Sequence, residues 1–442
     1  MPLILGTNSI KDTGFDVANS LRFDGDSDLT FAQSDGSVGE KRTFTFSAWV
    51  KKSKPVGAQV IFTTTAGNTN FFGEVKFNGD DDLEVNQTQS NAGGVNIQLI
   101  TDRKFRDVSA WYHILLVVDT TQGTAANRVK IFVNGVQETS FSTETYPNQN
   151  LQTAFNQASF NYRIGVNDTN DGEYFDGYMC EVALVAGVAH ANTDFGEFDG
   201  DSGIWKPINV SGLTYEADNS FYLEFKESGT GQDSSGLGAD TSGNGHHFAV
   251  SNLSATNQSI DTCTNNFATL NPLIYESRDN TFAEGNLKIT GGGSDDWVNK
   301  YGVSNFAVSS GKWFVEAKMT TVVGSQGMLG IMGTSTALAG SLRDTGPANI
   351  DAGGRISGGG GDHQTGLTNF ANGNIAGAAF DATNGTIQFY RNGSAYGNAV
   401  SSIASDTYYF VTNSYNTGAV VEFNFGSPPY SESGGNSDGD GF

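Results

Sequence analysis

From residue 21 to residue 190, apolar and polar positions alternate in short runs, each closed by Gly, Asn, Asp or Ser, and residues 191–228 break the alternation before a last apolar run. In "SLRFDG", Leu21 and Phe23 alternate with polar neighbours; in "TFTFSAWV", Phe44, Phe46 and Ala48 alternate with Thr45, Ser47 and Trp49. A period of two sends successive side chains to opposite faces, so these runs predict β-strands. "YHILLVVD", residues 112–119, is apolar almost throughout, as expected of a central strand covered on both faces. "RVKIFVNGVQ", "FNYRIGV" and "YFDGYMCEVALVAGVA" continue the series. Phe221, Leu223 and Phe225 then predict a last strand, expected beside "SLRF". Short strands with frequent turns and no helices between them predict a sandwich of antiparallel sheets.

A second series occupies 280–430. "GKWFVEAKMT" sets Trp313, Val315, Ala317 and Met319 against Phe314, Glu316 and Lys318, and "NIAGAAFD", "GTIQFYRNG", "DTYYFVTNSY" and "AVVEFNFG" follow. The pattern predicts an all-β chain of two consecutive antiparallel β-sandwiches, at 15–228 and 280–430. An arm at 1–14 precedes them, a Gly/Ser/Asn-rich linker at 229–279 joins them, and a polar tail at 431–442 follows. In both series an apolar run ending in Asp leads into a strand closed by Asn-Gly, at Asn134-Gly135 and Asn392-Gly393. A two-residue hairpin turn of type I′ needs positive φ at both positions, which Asn and Gly adopt at least cost. These dipeptides are turn chemistry, and their recurrence counts domains.

Composition agrees: 57 glycines, 12% aromatic and only 16% charged residues. A net charge of −24 and a pI near 4.4 oppose binding to nucleic acid or to an anionic membrane. The two cysteines, Cys180 in a strand and Cys263 in the linker, are expected as free thiols, which suits a reducing cytoplasm. The opening "MPLILGTNSIKD" is too short for a signal peptide or a membrane span.

Candidate chemistry is sparse. Glu197, Asp199 and Asp201 alternate in "EFDGD", the spacing nearest to a retaining glycosidase's carboxylate pair, yet Gly200 and the turn-rich surroundings favour a solvated acidic loop. Asp24, Asp26 and Asp28 alternate as calcium ligands would, but no downstream Gly and Glu complete the loop. His246 and His247 point to opposite sides of an extended chain, and His113 is expected as a satisfied strand residue. Tyr146, Tyr174 and Phe175, with the loop "NDTNDGEYFDG", offer stacking faces and hydroxyl partners for a sugar. No catalytic, cofactor-binding or metal-binding residue is assigned, and no cofactor is expected.

The ordered set "LRFDGDSD", "FTFSAWVKK", "WYHILLVVD", "VKIFVNGVQ" and "YFDGYMCEVALVAG" resembles laminin-G-like, concanavalin-A-like jelly-roll lectin domains, especially those in structural proteins of marine tailed bacteriophages. "VSSGKWFVEAKM", "GMLGIMG", "FANGNIAGAAFDATNGTIQFYRNG" and "VEFNFGSPPY" resemble a SPRY domain, with Gly373-Asn374 where that family usually has Gly-Asp. The joint "DTCTNNFATLNPL" is similar to linkers between these two modules in phage proteins. The resemblance implies a non-enzymatic virion protein assembled in the host cytoplasm, as capsid-surface decoration or as a tail or fibre appendage. Its implied partners are other virion proteins and host-surface glycans, and the arm at 1–14, which has no fold of its own, is expected to order on docking to another virion protein. A stand-alone glycan-binding adhesin is the first alternative; a jelly-roll glycan hydrolase is the second.

Overall fold

The computed structural model describes residues 14–430 apart from 33–40, 67–69, 91–92, 156, 158–159, 168–171, 217–218, 275–276, 296, 298–299, 325–326 and 339. The expected arm and tail therefore lie outside the described residues, except Gly14. The described residues fall into two compact units that meet in the chain between Asn266 and Phe267.

The first unit is a sandwich of two eight-stranded antiparallel sheets. One sheet runs Val136–Gln137, Val129–Val133, Tyr112–Asp119, Thr43–Lys52, Asp176–Ala186, Ser20–Asp24, Gln258–Ser259, with Phe221–Leu223 also paired to Asp176–Ala186. The other runs Phe141–Thr145, Gly94–Lys104, Asp82–Gln89, Phe71–Phe77, Gln59–Thr65, Asn161–Ile164, Asp28–Ala32, Ala249–Ser251. The alternation seen in sequence places Phe44, Phe46 and Ala48 in the core between the sheets, where Phe46 stacks on Phe62 at 4.7 Å. Thr45, Ser47, Trp49 and Lys51 sit on the opposite face of the same strand and are buried as well. A further layer of connecting chain covers that face, packing Phe195 and Val210 over one end and Trp205, Trp111 and Val17 over the other.

Two expectations change. Phe221–Leu223 does not lie beside Ser20–Asp24. The strand Asp176–Ala186 is long enough to take both end to end: Met179 opposes Leu21, while Leu184 opposes Phe221. A bulge separates the two stretches, with Glu181 at φ +51°, and Phe225 at φ +55° lies past the strand end. The linker read at 229–279 is the other correction. Residues 229–266 belong to the first unit: Ala249–Ser251 extends one sheet, Gln258–Ser259 the other, and Leu237, Phe248 and Leu253 enter the core. Open sheet edges recruit whatever chain lies nearby, because unpaired backbone groups bond any extended segment. We call Ser259–Asn266, the end of this unit, the strap.

The second unit is a sandwich of seven and six antiparallel strands. Its larger sheet runs Thr281–Ala283, Lys288–Thr290, Val420–Asn424, Lys312–Thr321, Ile375–Asp381, Thr386–Arg391, Ser394–Ala395. Its smaller sheet runs Tyr301–Val308, Tyr408–Asn413, Gly327–Gly333, Ala348–Asp351, Arg355–Gly358, Gly361–Gln364. Val315, Ala317 and Met319 face a core shared with Ile350, Phe380, Phe410 and Phe423.

The two Asn-Gly turns occupy equivalent places. Each joins an edge hairpin, and their dihedrals coincide: φ +48° and +75° at 134–135, +49° and +75° at 392–393. Each asparagine also braces the neighbouring strand. Asn134 Oδ1 accepts the backbone N–H of His113 at 2.7 Å, and Asn392 Oδ1 accepts that of Ile375 at 2.8 Å.

Candidate functional site

The pairing of Thr43–Lys52 with Tyr112–Asp119 sets Trp49 opposite His113. The indole of Trp49 stacks on one face of the imidazole at 4.8 Å between ring centres. Trp205 arrives from the hairpin Gly196–Phe198/Trp205–Pro207 and stacks at 6.0 Å, its Nε1–H donating to His113 Nδ1 at 3.0 Å. An indole N–H only donates, so Nδ1 carries no proton. The proton is therefore on Nε2, which lies 2.9 Å from Ser47 Oγ and donates to it. Full burial pushes the imidazole pKa down to about 3, so His113 is neutral and fully used as a ring spacer.

Trp205 fits only because two glycines lie against it. A Cβ on Gly135 would sit 2.2 Å from the indole ring, and one on Gly196 2.5 Å from it. Gly135 is thus required twice, by its positive φ and by the tryptophan on it. On the other side Trp111 donates through Nε1 to Asp261 of the strap at 3.2 Å. Asp261 also pairs with buried Lys51 at 2.8 Å. Lys51 donates to Asn266 Oδ1, and Asn266 Nδ2 donates to the Ser109 carbonyl, both at 2.8 Å.

These groups leave a cavity of about 150 Å³ lined by Trp49, Trp111, Trp205, Ile204, Asn134 and Cys263, together with Ala110 and Asn266. Ile204 is exposed, as is Phe198, whose ring meets Trp205 edge-on at 4.9 Å. Drug-sized sites run to roughly 300–1,000 Å³, so this one takes a single ring rather than an extended chain. The chemistry it offers is flat aromatic surface beside the side-chain amide of Asn134.

The residues singled out in sequence are placed elsewhere or used structurally. Glu197 and Asp199 share Lys206, at 3.3 and 3.5 Å, on the surface hairpin. Asp199 also accepts the backbone N–H groups of Asp201 and Ser202, and hydrogen bonds from Ser202 hold its pKa down. Asp28 pairs with Arg163 at 3.3 Å, and burial with neighbouring Asp24 raises the pKa of Asp26. Among the described residues no three His, Cys, Asp or Glu side chains converge as metal ligands. His246 Nδ1 lies 2.9 Å from the Ser220 carbonyl, while His247 Nδ1 accepts the Asp240 N–H at 3.1 Å. Phe175 is buried against Phe23, Tyr146 donates to Glu144 at 2.6 Å, and Tyr174 is half-buried. Of the loop "NDTNDGEYFDG", residues 168–171 lie outside the described residues.

One carboxylate group went unread in sequence. Glu74 is buried with Lys76 at 3.0 Å, and Lys76 also reaches Glu173 at 3.2 Å. Asn167 donates to both carboxylates, and burial raises the Glu74 pKa, with Glu173 and Glu84 adding to it against the opposing pull of Lys76. The central lysine makes this an internal ion-pair network. In the second unit a cavity of about 230 Å³ is lined by Trp297, Arg343, Asn349 and Ser357 and by Arg355 with its partner Asp351.

Residues 23–192 match the family model described as the concanavalin A-like lectin/glucanases superfamily. No curated protein sequence matches the chain. Similar solved structures include the SPRY domain of human HERC1, at 19% identity and a TM-score of 0.30, covering 35% of this chain and 96% of that one. A heptameric SAP-like pentraxin from Limulus polyphemus is 16% identical at a TM-score of 0.32, covering 47% and 93%. Domain 4 of AbnA, an extracellular GH43 arabinanase of Geobacillus stearothermophilus in complex with arabinotriose, is 20% identical at 0.27, covering 36% and 67%.

Proposed function

We propose that the chain is a non-enzymatic structural protein of a tailed-phage particle, on its head or its tail, and that its first sandwich holds host-surface glycan at the tryptophan cavity. The cavity carries the reading. Sugar rings lay their C–H faces on indole planes and need an amide or similar group for their hydroxyls, and Trp49, Trp111, Trp205 and Asn134 supply both. The match of residues 23–192 to a lectin/glucanase family model supports binding of that class. A non-enzymatic role is supported by the two carboxylate groupings described, each drawn together around a lysine, Lys206 or Lys76. The virion role rests on the resemblance in sequence, and a net charge of −24 suits many copies crowded on one particle.

The test has two arms. Mass spectrometry of purified particles should find the chain, with antibody labelling placing it on head or tail. Tryptophan fluorescence of the full chain should shift on titration with host-surface polysaccharide, and Ile204→Glu at the cavity mouth should weaken binding at least about tenfold. Absence from particles with binding intact would leave a free-standing adhesin. Presence without any glycan response would remove the cavity from the proposal.

A further inference from the structure

The two cysteines, 83 positions apart in sequence, are brought to a sulfur–sulfur distance of 3.7 Å. Both are free thiols. Each is held from its own side. Cys180 lies in the strand Asp176–Ala186, paired to Trp49 and followed directly by the bulge at Glu181. Cys263 lies in the strap, inside a turn closed by reciprocal backbone bonds between Thr262 and Asn265 at 3.1 Å. Asp261 anchors the strap on Lys51, and Thr264 Oγ1 accepts the Val17 N–H at 3.0 Å. The sulfurs therefore meet across two anchored segments, and a bond of about 2.05 Å asks them to close by less than ~2 Å.

We propose that Cys180 and Cys263 form a disulfide by exchange with a small-molecule disulfide such as oxidised glutathione. This stands apart from the proposed function. Cys263 is part-exposed and lines the tryptophan cavity, whereas Cys180 is fully buried, so Cys263 reacts first. Its thiolate attacks one glutathione sulfur, the glutathione S–S bond breaks, and one glutathione thiolate leaves. The Cys180 thiolate then attacks the Cys263 sulfur of the mixed disulfide and expels the second. Two electrons pass from the cysteines to glutathione, and the two protons lost by the cysteines end on the two glutathione thiols. Burial and the adjacent Cys180 thiol push the Cys263 thiol up, so exchange accelerates as the medium becomes alkaline. The product ties the strap to a central strand and closes a long loop, which restricts the unfolded chain.

The natively folded full chain is incubated with oxidised glutathione at alkaline pH, quenched with iodoacetamide and mapped without reduction. A peptide linking Cys180 to Cys263 is expected, with first-unit melting raised by several degrees and restored by dithiothreitol. In Cys180→Ala the glutathione should remain on Cys263; an unmodified Cys263 there overturns the order of attack. Glutathione retained on the wild type, links between chains, or both cysteines alkylated with no cross-link would overturn the disulfide.

Discussion

His113 and Glu181 are both buried in the first unit and answer to pH in opposite directions. Burial lowers His113 from 6.5 to about 3, so the folded chain refuses a proton that the unfolded chain accepts. Its stability contribution is complete above 6.5 and is lost as pH falls toward 3. Burial raises Glu181 from 4.5 to about 7, although the Tyr222 hydroxyl that donates to it pulls the other way. Its contribution is complete below 4.5 and is lost as pH rises through 7. At about 1.4 kcal/mol per pH unit the shifts are worth on the order of 5 kcal/mol for His113 and 3 kcal/mol for Glu181, and between 4.5 and 6.5 the two slopes cancel. Thermal melts across pH separate them. Glu181→Gln should gain on the wild type as pH rises from 4.5 to 7. The deficit of His113→Asn should shrink as pH falls through the same range.

At the scale of elements, the strap shows where sequence reading ends. Thr43–Lys52 was legible by the alternation of its side chains, and Tyr112–Asp119 by an unbroken apolar run bounded by turns. The strap has no period. It is held by a two-residue strand and by Lys51 and Asp261, whose side chains are 1% and 3% exposed. Neither a lone Asp in a polar run nor a Lys at a strand end announces its partner. The cavity was illegible for a related reason: Trp49, Trp111 and Trp205 stand far apart in sequence, and only the sheet order and a surface hairpin gather them. Lys51→Met leaves Asp261 buried without its cation, and urea titration should show a loss of about 3–5 kcal/mol. Hydrogen exchange should show the strap's amides opening first.

On the scale of the molecule, each unit encloses its own core: Phe46, Phe62 and Phe221 belong to one, Phe380, Phe410 and Phe423 to the other. Phe423 is fully buried, so Phe423→Ala should cost the second unit about 3–5 kcal/mol. Trp49, Trp111 and Trp205 report the first unit and Trp297 and Trp313 the second, so fluorescence of this variant should lose the second unit's share at low urea and keep the first unit's share to higher urea. A single concerted loss in that variant would contradict this.

The seat of Trp205 on Gly135 bears on where foreign peptides can be spliced into the chain. The two Asn-Gly turns share dihedrals and bracing, and by hairpin geometry alone they are interchangeable as insertion points. But Gly135 is buried beneath an indole, whereas Asn392 is exposed and Gly393 half-exposed. An epitope spliced between Asn392 and Gly393 should leave the chain folded and be recognised by antibody. The same epitope between Asn134 and Gly135 should unseat Trp205, visible as a red-shifted tryptophan emission.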